Sequence, residues 1–326
     1  MPAPMIWTRP LIRQPWSNRT WERRYSRERG ALANRAPPCH VSTMATDPSE
    51  AQVLIQHARH VNYDRYLCAL FAPVDTRLDL FALIAFNYEL ARVRETVSEP
   101  MLGRIRLQWW REQIEGLYTG APRRHELTEP LKQAIERRRL GRAYFDALIE
   151  ARERDLDDAP FDDLAALEAY AAGTAGPLGA LMTEVLGARD AATVEAARAA
   201  HTAFALVGLM RAVPFHASQN RSFVPLDRLL AHGGTAADAL ANRFSPALGA
   251  AIGEVLDRAS KQLGSVRAMA RNISRPQRAA LLPARLAALY RSRLHAAGCN
   301  PFEPDAAISP LRRQISLWVA MTTGRL

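Results

Sequence analysis

Residues 77–99 read RLDLFALIAFNYELARVRETVSE. Apolar residues recur from Leu78 to Leu90 at helical spacing, and Glu89, Arg92, Arg94, Glu95 and Glu99 crowd the end. The spacing predicts one long helix from Arg77 to Glu99, with an apolar stripe and a charged last part. A helix of this kind needs other elements to cover its stripe, so the remainder of the chain reads as a helical shell built around it.

The pattern continues on both sides. Asp47-Pro48-Ser49-Glu50 is a helix start with an acid in its first turn, and the helix runs to about His60. A second helix, Tyr63 to Phe71, stops at Pro73. After Pro100 comes MLGRIRLQWWREQIEGLYTG, with Ile105, Trp109 and Ile114 in helical spacing and Gly120-Ala121-Pro122 as the stop. Trp109-Trp110 reads as a packing anchor. Leu127 to Leu140 and Arg142 to Arg154 form a helical pair, with Arg137-Arg138-Arg139 as a solvated cluster at a dipole-favoured terminus. Asp162 to Leu186 is helical but carries Gly173, Gly176, Pro177 and Gly179. That break fits either a kink beside a cavity or two helices joined by a short turn. Ala191 to His216, Ser245 to Arg271, Gln277 to Ala297 and Ser309 to Met321 complete the set. No convincing strand occurs, so residues 48–326 are expected to form one all-α domain, a single large helical bundle.

With 326 residues, 48% of them hydrophobic, the chain has ample material for a core. No run of 18 apolar residues is present, which excludes a transmembrane helix. Cys39, Cys68 and Cys299 share no CxxC spacing, which fits a reducing compartment and no zinc site of the usual kind. The formal charge of +10 is concentrated in residues 1–43, where eight Arg stand against Glu22 and Glu28. Three readings fit the Arg- and Pro-rich residues 1–47: an organelle-targeting leader, a disordered basic arm, or a start site placed too early with Met44 as the true beginning. No basic-aromatic stripe accompanies the charge, and a nucleic-acid partner is not expected.

Catalytic motifs are sparse. There is no Gly-rich phosphate loop after a strand, no G-x-S-x-G elbow and no HExxH. His57 and His60 lie three residues apart, but without an evident carboxylate partner they read as a solvated face. Asp155, Asp157 and Asp158 form a carboxylate cluster that suits a loop before Pro160 better than a metal site.

The ordered series Tyr66, Leu70 to Pro73, Arg77, Ala85-Phe86, Trp109-Trp110, Tyr170 with the Gly173–Gly179 break, and Arg221-x-Phe223-Val224-Pro225 resembles the squalene/phytoene synthase family. The resemblance implies the class I isoprenoid (terpenoid) synthase bundle. It also implies two aspartate motifs on facing helices that hold Mg²⁺ against a substrate diphosphate. Here the first motif falls on Ala91-Arg92-Val93-Arg94-Glu95, where only the last acid remains. The second falls on Gly208, Ala212 and His216, with Arg211 kept beside it. One glutamate next to two guanidinium groups leaves a dication facing net positive charge, so neither a trinuclear Mg²⁺ site nor ordinary prenyl transfer is expected.

A narrower match, through FALIAFNYELARVRETVSE, RLQWWREQIE, ARERDLDD and LMRAVPFHASQNRSFVPLD, resembles a degenerate branch of that family. That branch includes the mitochondrial assembly factor of respiratory complex I. The resemblance implies a non-catalytic factor in complex I assembly, or an isoprenoid- or anion-binding protein, with complex I subunits or assembly intermediates as partners. It also implies a place in the cytoplasm, peripheral on the inner face of the membrane, or on the matrix side if the leader is a transit peptide. No cofactor and no catalytic residue is expected. Tyr66, Arg92, Arg94, Arg211 and Arg221 are the candidate residues for a pocket that grips an isoprenoid diphosphate, an anionic lipid headgroup or another anion. The competing expectation is that the arginines pair with Glu89, Glu95 and Glu99 and bind nothing. The alternative function is an active, Mg²⁺-dependent prenyltransferase of isoprenoid biosynthesis that uses displaced acids such as Asp155 to Asp158.

Overall fold

Helix α3, Arg77–Ala91, carries no polar face wide enough to meet water. Every residue from Asp79 to Asn87 is buried, as are Glu89 and Leu90. A helix that is apolar on nearly all sides must be enclosed. In the computed structural model, which describes residues 48–303 and 308–326, it is surrounded by α1 (Pro48–Val61), α2 (Tyr63–Ala69), α5 (Thr128–Arg138), α6 (Arg142–Ala151) and α7 (Leu164–Val185). Residues 1–47, and with them the choice among the three readings of the leader, lie outside the described residues. All regular structure among the described residues is helical.

The first turn of α3 holds a buried acid, Asp79, near the positive end of the helix dipole. Arg138 donates to it at 2.7 Å and Arg137 at 3.3 Å. The Arg137–Arg139 cluster is therefore not simply solvated as the sequence suggested. Two of its members compensate a carboxylate that burial alone would leave costly.

The other end of α3 also departs from expectation. The helix stops at Ala91, and Arg94–Thr96 form a separate 3₁₀ turn. Thr96 turns its hydroxyl back onto the Val93 carbonyl (3.0 Å), and Glu99 is extended, as a residue before proline must be. Pro100 then opens α4, Pro100–Thr119, which closes on Gly120 in the left-handed region (φ 86°). Trp110 of α4 sits edge-on against Phe86 of α3 (ring centroids 5.3 Å) and is fully packed.

Helix α7 runs continuously through Pro177, so the break does not divide it into two helices joined by a turn. The cost of the missing N–H is offset by close packing of α7 along α8, Ala191–Arg211. A Cβ at Gly179 would lie 2.6 Å from the Ala197 carbonyl oxygen, so glycine is required for this approach. Helix α8 ends at Arg211, earlier than the periodicity predicted. Pro214 opens the short α9, Val213–Ser218, where its absent N–H is an orphan in any case.

The opposite side of α8 packs on α12 (Pro246–Met269) and α13 (Leu282–Ala296), and α14 (Pro310–Thr323) covers α13. Two short helices, α10 (Leu226–Ala231) and α11 (Ala236–Leu240), lead into α12. Leu167 of α7 and Ala196 of α8 join the core shared with α12 and α13. Leu178 and Ala197, on the same two helices, join the core around α3. The α7–α8 pair thus connects the two halves of the interior.

Candidate functional site

The positions that the family resemblance assigns to metal-binding aspartates lie at the end of α3 and across α8–α9. Ala91 is the last residue of α3. Arg92 caps the helix, donates to Glu89 at 3.1 Å and lies over the Tyr88 ring. Arg94, in the 3₁₀ turn, reaches away from its own helix and donates to both carboxylate oxygens of Asp158, at 2.8 and 3.0 Å. Glu95 stays at the exposed rim. Partial desolvation moves its carboxyl pKa upward, against the pull of Arg92 and Arg221.

The loop after α6 supplies the other half. Arg152–Leu156 wind as a 3₁₀ turn that buries Asp155. Its carboxylate accepts the Tyr170 hydroxyl (2.6 Å) and an Arg152 guanidinium N–H (3.1 Å). Arg221, in the segment following α9, donates to the Asp155 main-chain oxygen (2.9 Å), lies 3.6 Å from Asp158 and stacks near Phe223. Asp158 thereby sits between Arg94 and Arg221, and the hydrogen bond from Arg94 holds its carboxyl below the usual range. Asp157 pairs with Arg154 at 3.2 Å. Each acid of the Asp155–Asp158 cluster is engaged by an arginine.

On the facing side, a Cβ at Gly208 would meet nothing within 4 Å, so this position borders open space. Ala212 is the junction between α8 and α9. His216 packs its ring on Phe223 (4.5 Å), and burial together with Arg221 pushes its pKa down to about 4. Its Nδ1 is buried without a hydrogen-bond partner among the described residues. Glu95 and His216 both lie within the electrostatic reach of Arg221 and Asp155, so the two motif positions converge on one cluster.

Of the five candidate pocket residues, the structure joins Arg94 and Arg221 through Asp158 and links Arg92 to them electrostatically through Glu95. Arg211 belongs to a different group. It lies 3.5 Å over the ring of Tyr290, whose hydroxyl donates to Asp64 (2.7 Å), and Arg313 completes that set at 2.8 Å from Asp64. Tyr66 stacks on Phe81 (5.2 Å) and Tyr63, as a packing residue. The expected pairing of arginines with Glu89, Glu95 and Glu99 is met directly only by Arg92 with Glu89. Arg94 takes Asp158 instead, 64 residues away. Sequence reasoning missed Arg152 and the role of Asp158. The Arg152/Asp155 spacing of three residues was the one local signal available.

The donor set does not fit a trinuclear Mg²⁺ site. Ala91, Gly208 and Ala212 offer no side-chain oxygen, and the nearby carboxylates already face guanidinium groups. Among the described residues no group of three His, Cys, Asp or Glu could hold a metal, and no helix is long and apolar enough to cross a membrane.

Comparison with known proteins agrees with this architecture. The assembly factor 6 of NADH dehydrogenase (ubiquinone) complex I from Homo sapiens is 35% identical over 182 residues, 56% of this chain and 55% of that protein. The chain thus spans little more than half the length of that relative. A presqualene diphosphate synthase of Rhodopseudomonas palustris is 29% identical over 154 residues, 47% of this chain and 54% of that enzyme. Among solved structures, the squalene synthase HpnC from Alicyclobacillus acidocaldarius superposes with a TM-score of 0.70 at 21% identity, over 78% of this chain and 96% of that one. That likeness speaks for the fold. The squalene/phytoene synthase model matches residues 58–318, nearly the whole helical bundle, and the chain belongs to the squalene/phytoene synthase family.

Proposed function

We propose that this chain is a non-catalytic member of its family that acts in the assembly of respiratory complex I. The observation that carries the reading is the pairing of Asp158 with Arg94 and Arg221. Where a metal-dependent prenyltransferase needs free carboxylates facing one another, this chain has a closed arginine–carboxylate clasp between the end of α3 and the segment after α9. The resemblance to complex I assembly factor 6 supports the partner class, complex I subunits or assembly intermediates. An exposed apolar row on α14, Leu311, Ile315 and Trp318 at helical spacing, supports a peripheral position on a membrane surface.

The rival reading, a Mg²⁺-dependent enzyme that condenses prenyl diphosphates, is favoured by the similarity to presqualene diphosphate synthase. Incubation of the purified protein with farnesyl or geranylgeranyl diphosphate and Mg²⁺ separates the two. No pyrophosphate release is expected, and a condensed product would overturn the proposal. Deleting the gene and measuring assembled complex I tests the assembly role. Reduced complex I is expected, and unchanged levels would sink that role.

A further inference from the structure

Helix α14 is apolar on two opposite faces. Ser316, Leu317, Ala320 and Met321 turn inward and are buried. Leu311, Ile315 and Trp318, at i, i+4 and i+7, form a row on the other side and are 65%, 53% and 61% exposed. A surface helix ordinarily turns polar residues to water at these positions. Helix α14 packs chiefly on α13, and no described residue buries the outer row.

The charge around this helix is one-sided. Between Asp257 and Glu303 the chain has nine Arg and Lys and no acid. Residues 258–326 hold twelve Arg and Lys against Glu303 and Asp305, whereas residues 44–257 carry more acids than bases. The bundle brings several of these cations beside α14. Arg285 donates to the Ser316 hydroxyl at 2.7 Å, halfway along the helix. At its end, Arg267 donates to the Leu326 main-chain oxygen at 2.9 Å, and a Cβ on Gly324 would lie 3.1 Å from the Arg278 guanidinium. Arg312 and Arg325 are exposed. None of these five pairs with an Asp or Glu among the described residues.

Large apolar side chains in one row, a tryptophan among them, with unpaired guanidinium groups around them, suit the boundary between acyl chains and phosphate headgroups. A second copy of the chain fits less well. Docking like faces would oppose two basic surfaces, and a row about 10 Å long is small beside the roughly 800 Å² each partner buries in a stable dimer.

We propose that α14 docks this chain on an anionic lipid bilayer. The helix lies in the membrane plane, with Leu311, Ile315 and Trp318 entering the headgroup–acyl boundary and the surrounding arginines against lipid phosphates. The inference rests on the membrane-surface part of the proposed function, and adds to it the lipid class and the orientation of the bundle.

Cosedimentation of the full chain with vesicles tests it. Binding is expected to an equal mixture of phosphatidylcholine and phosphatidylglycerol, with little to phosphatidylcholine alone, and added salt is expected to weaken it. Leu311→Ser/Ile315→Ser/Trp318→Ser should lower the affinity at least about tenfold, and Arg312→Gln on the order of fivefold. No binding by the native chain, equal binding to both vesicles, or undiminished binding by the triple variant would each refute the docking. The last comparison holds the basic residues 1–43 constant, so binding through them alone is recognised. Hydroxyl-radical footprinting needs no variant and decides if the triple variant does not fold. Trp318 of the vesicle-bound native chain should be protected from oxidation, and full reactivity there would overturn the proposal, as would a lipid-free dimer that the triple variant dissociates. Complex I in the deletion strain is a separate readout, so the docking can fail while the assembly role stands, and the reverse.

Discussion

Asp155 is the residue whose loss should be felt most, and Asp155→Asn isolates why. The carboxylate is 6% exposed and accepts one hydrogen bond from Tyr170 and one from Arg152. Asparagine keeps the shape and can still accept the Tyr170 hydroxyl, but it removes the only carboxylate paired with Arg152 among the described residues and turns amide protons toward a guanidinium. Removing one partner of a buried pair costs about 3–5 kcal/mol. For a domain of this size that corresponds to a fall in thermal midpoint on the order of 10 °C. Calorimetry and urea unfolding of the native chain and the variant measure it directly. The double variant Arg152→Met/Asp155→Asn supplies the control. With both charges gone and Tyr170 still partnered, most of the stability should return, because the penalty comes from the orphaned cation rather than from a lost attraction. A single-variant loss below about 1 kcal/mol, or a double variant no better than the single, would refute the claim that this pair holds the 152–158 loop.

Further outcomes follow from the same geometry. Gly179→Ala should destabilise by about 1–3 kcal/mol, because its Cβ would meet the Ala197 carbonyl. Gly208→Ala, one helix over, places its Cβ in open space and should stabilise by up to about 1 kcal/mol; paired urea curves would show the opposite signs. His57 and His216 have folded pKa values lowered to about 4 from 6.5. Between those values the unfolded chain binds more protons, so stability should fall as pH drops from 6.5 toward 4, by up to about 1.4 kcal/mol per pH unit for each histidine. His216→Gln should flatten that slope, and an unchanged pH profile of unfolding would contradict the assignment. Arg138→Met removes the shorter of the two hydrogen bonds to buried Asp79 and should cost about 1–3 kcal/mol, read as a shift in urea midpoint.

How far each feature could be read from sequence depended on its range. The fold was legible because it is written in local periodicity. The apolar run Leu78–Leu90 demands enclosure whatever surrounds it, and the absence of alternating strands leaves helices to provide it. The motif positions Ala91, Arg92, Glu95, Gly208, Ala212 and His216 follow from the family resemblance and not from periodicity, which names no metal ligand. The helix ends were less legible. Whether α3 continued past Ala91, or α8 past Arg211, turned on proline and capping chemistry that competes with a persistent apolar period.

Pairing of charges was a matter for tertiary structure. From the chain alone Arg94 had Glu89, Glu95 and Glu99 at helical distance, and nothing local named Asp158. Only the packing of α4 against α6 and the following turn brings that loop beside the end of α3. Arg65 makes the same point in reverse. Asp64 is its sequence neighbour, yet adjacent residues on a helix do not face each other, and Asp64 turns to Tyr290 and Arg313, more than 200 residues away in the chain. The sequence determined that this protein is a helical bundle and where its arginines fall along the helices. Which carboxylate neutralises each arginine was decided by contacts across the bundle, because an ion pair depends on distance in space and burial, and neither is encoded in spacing along a helix.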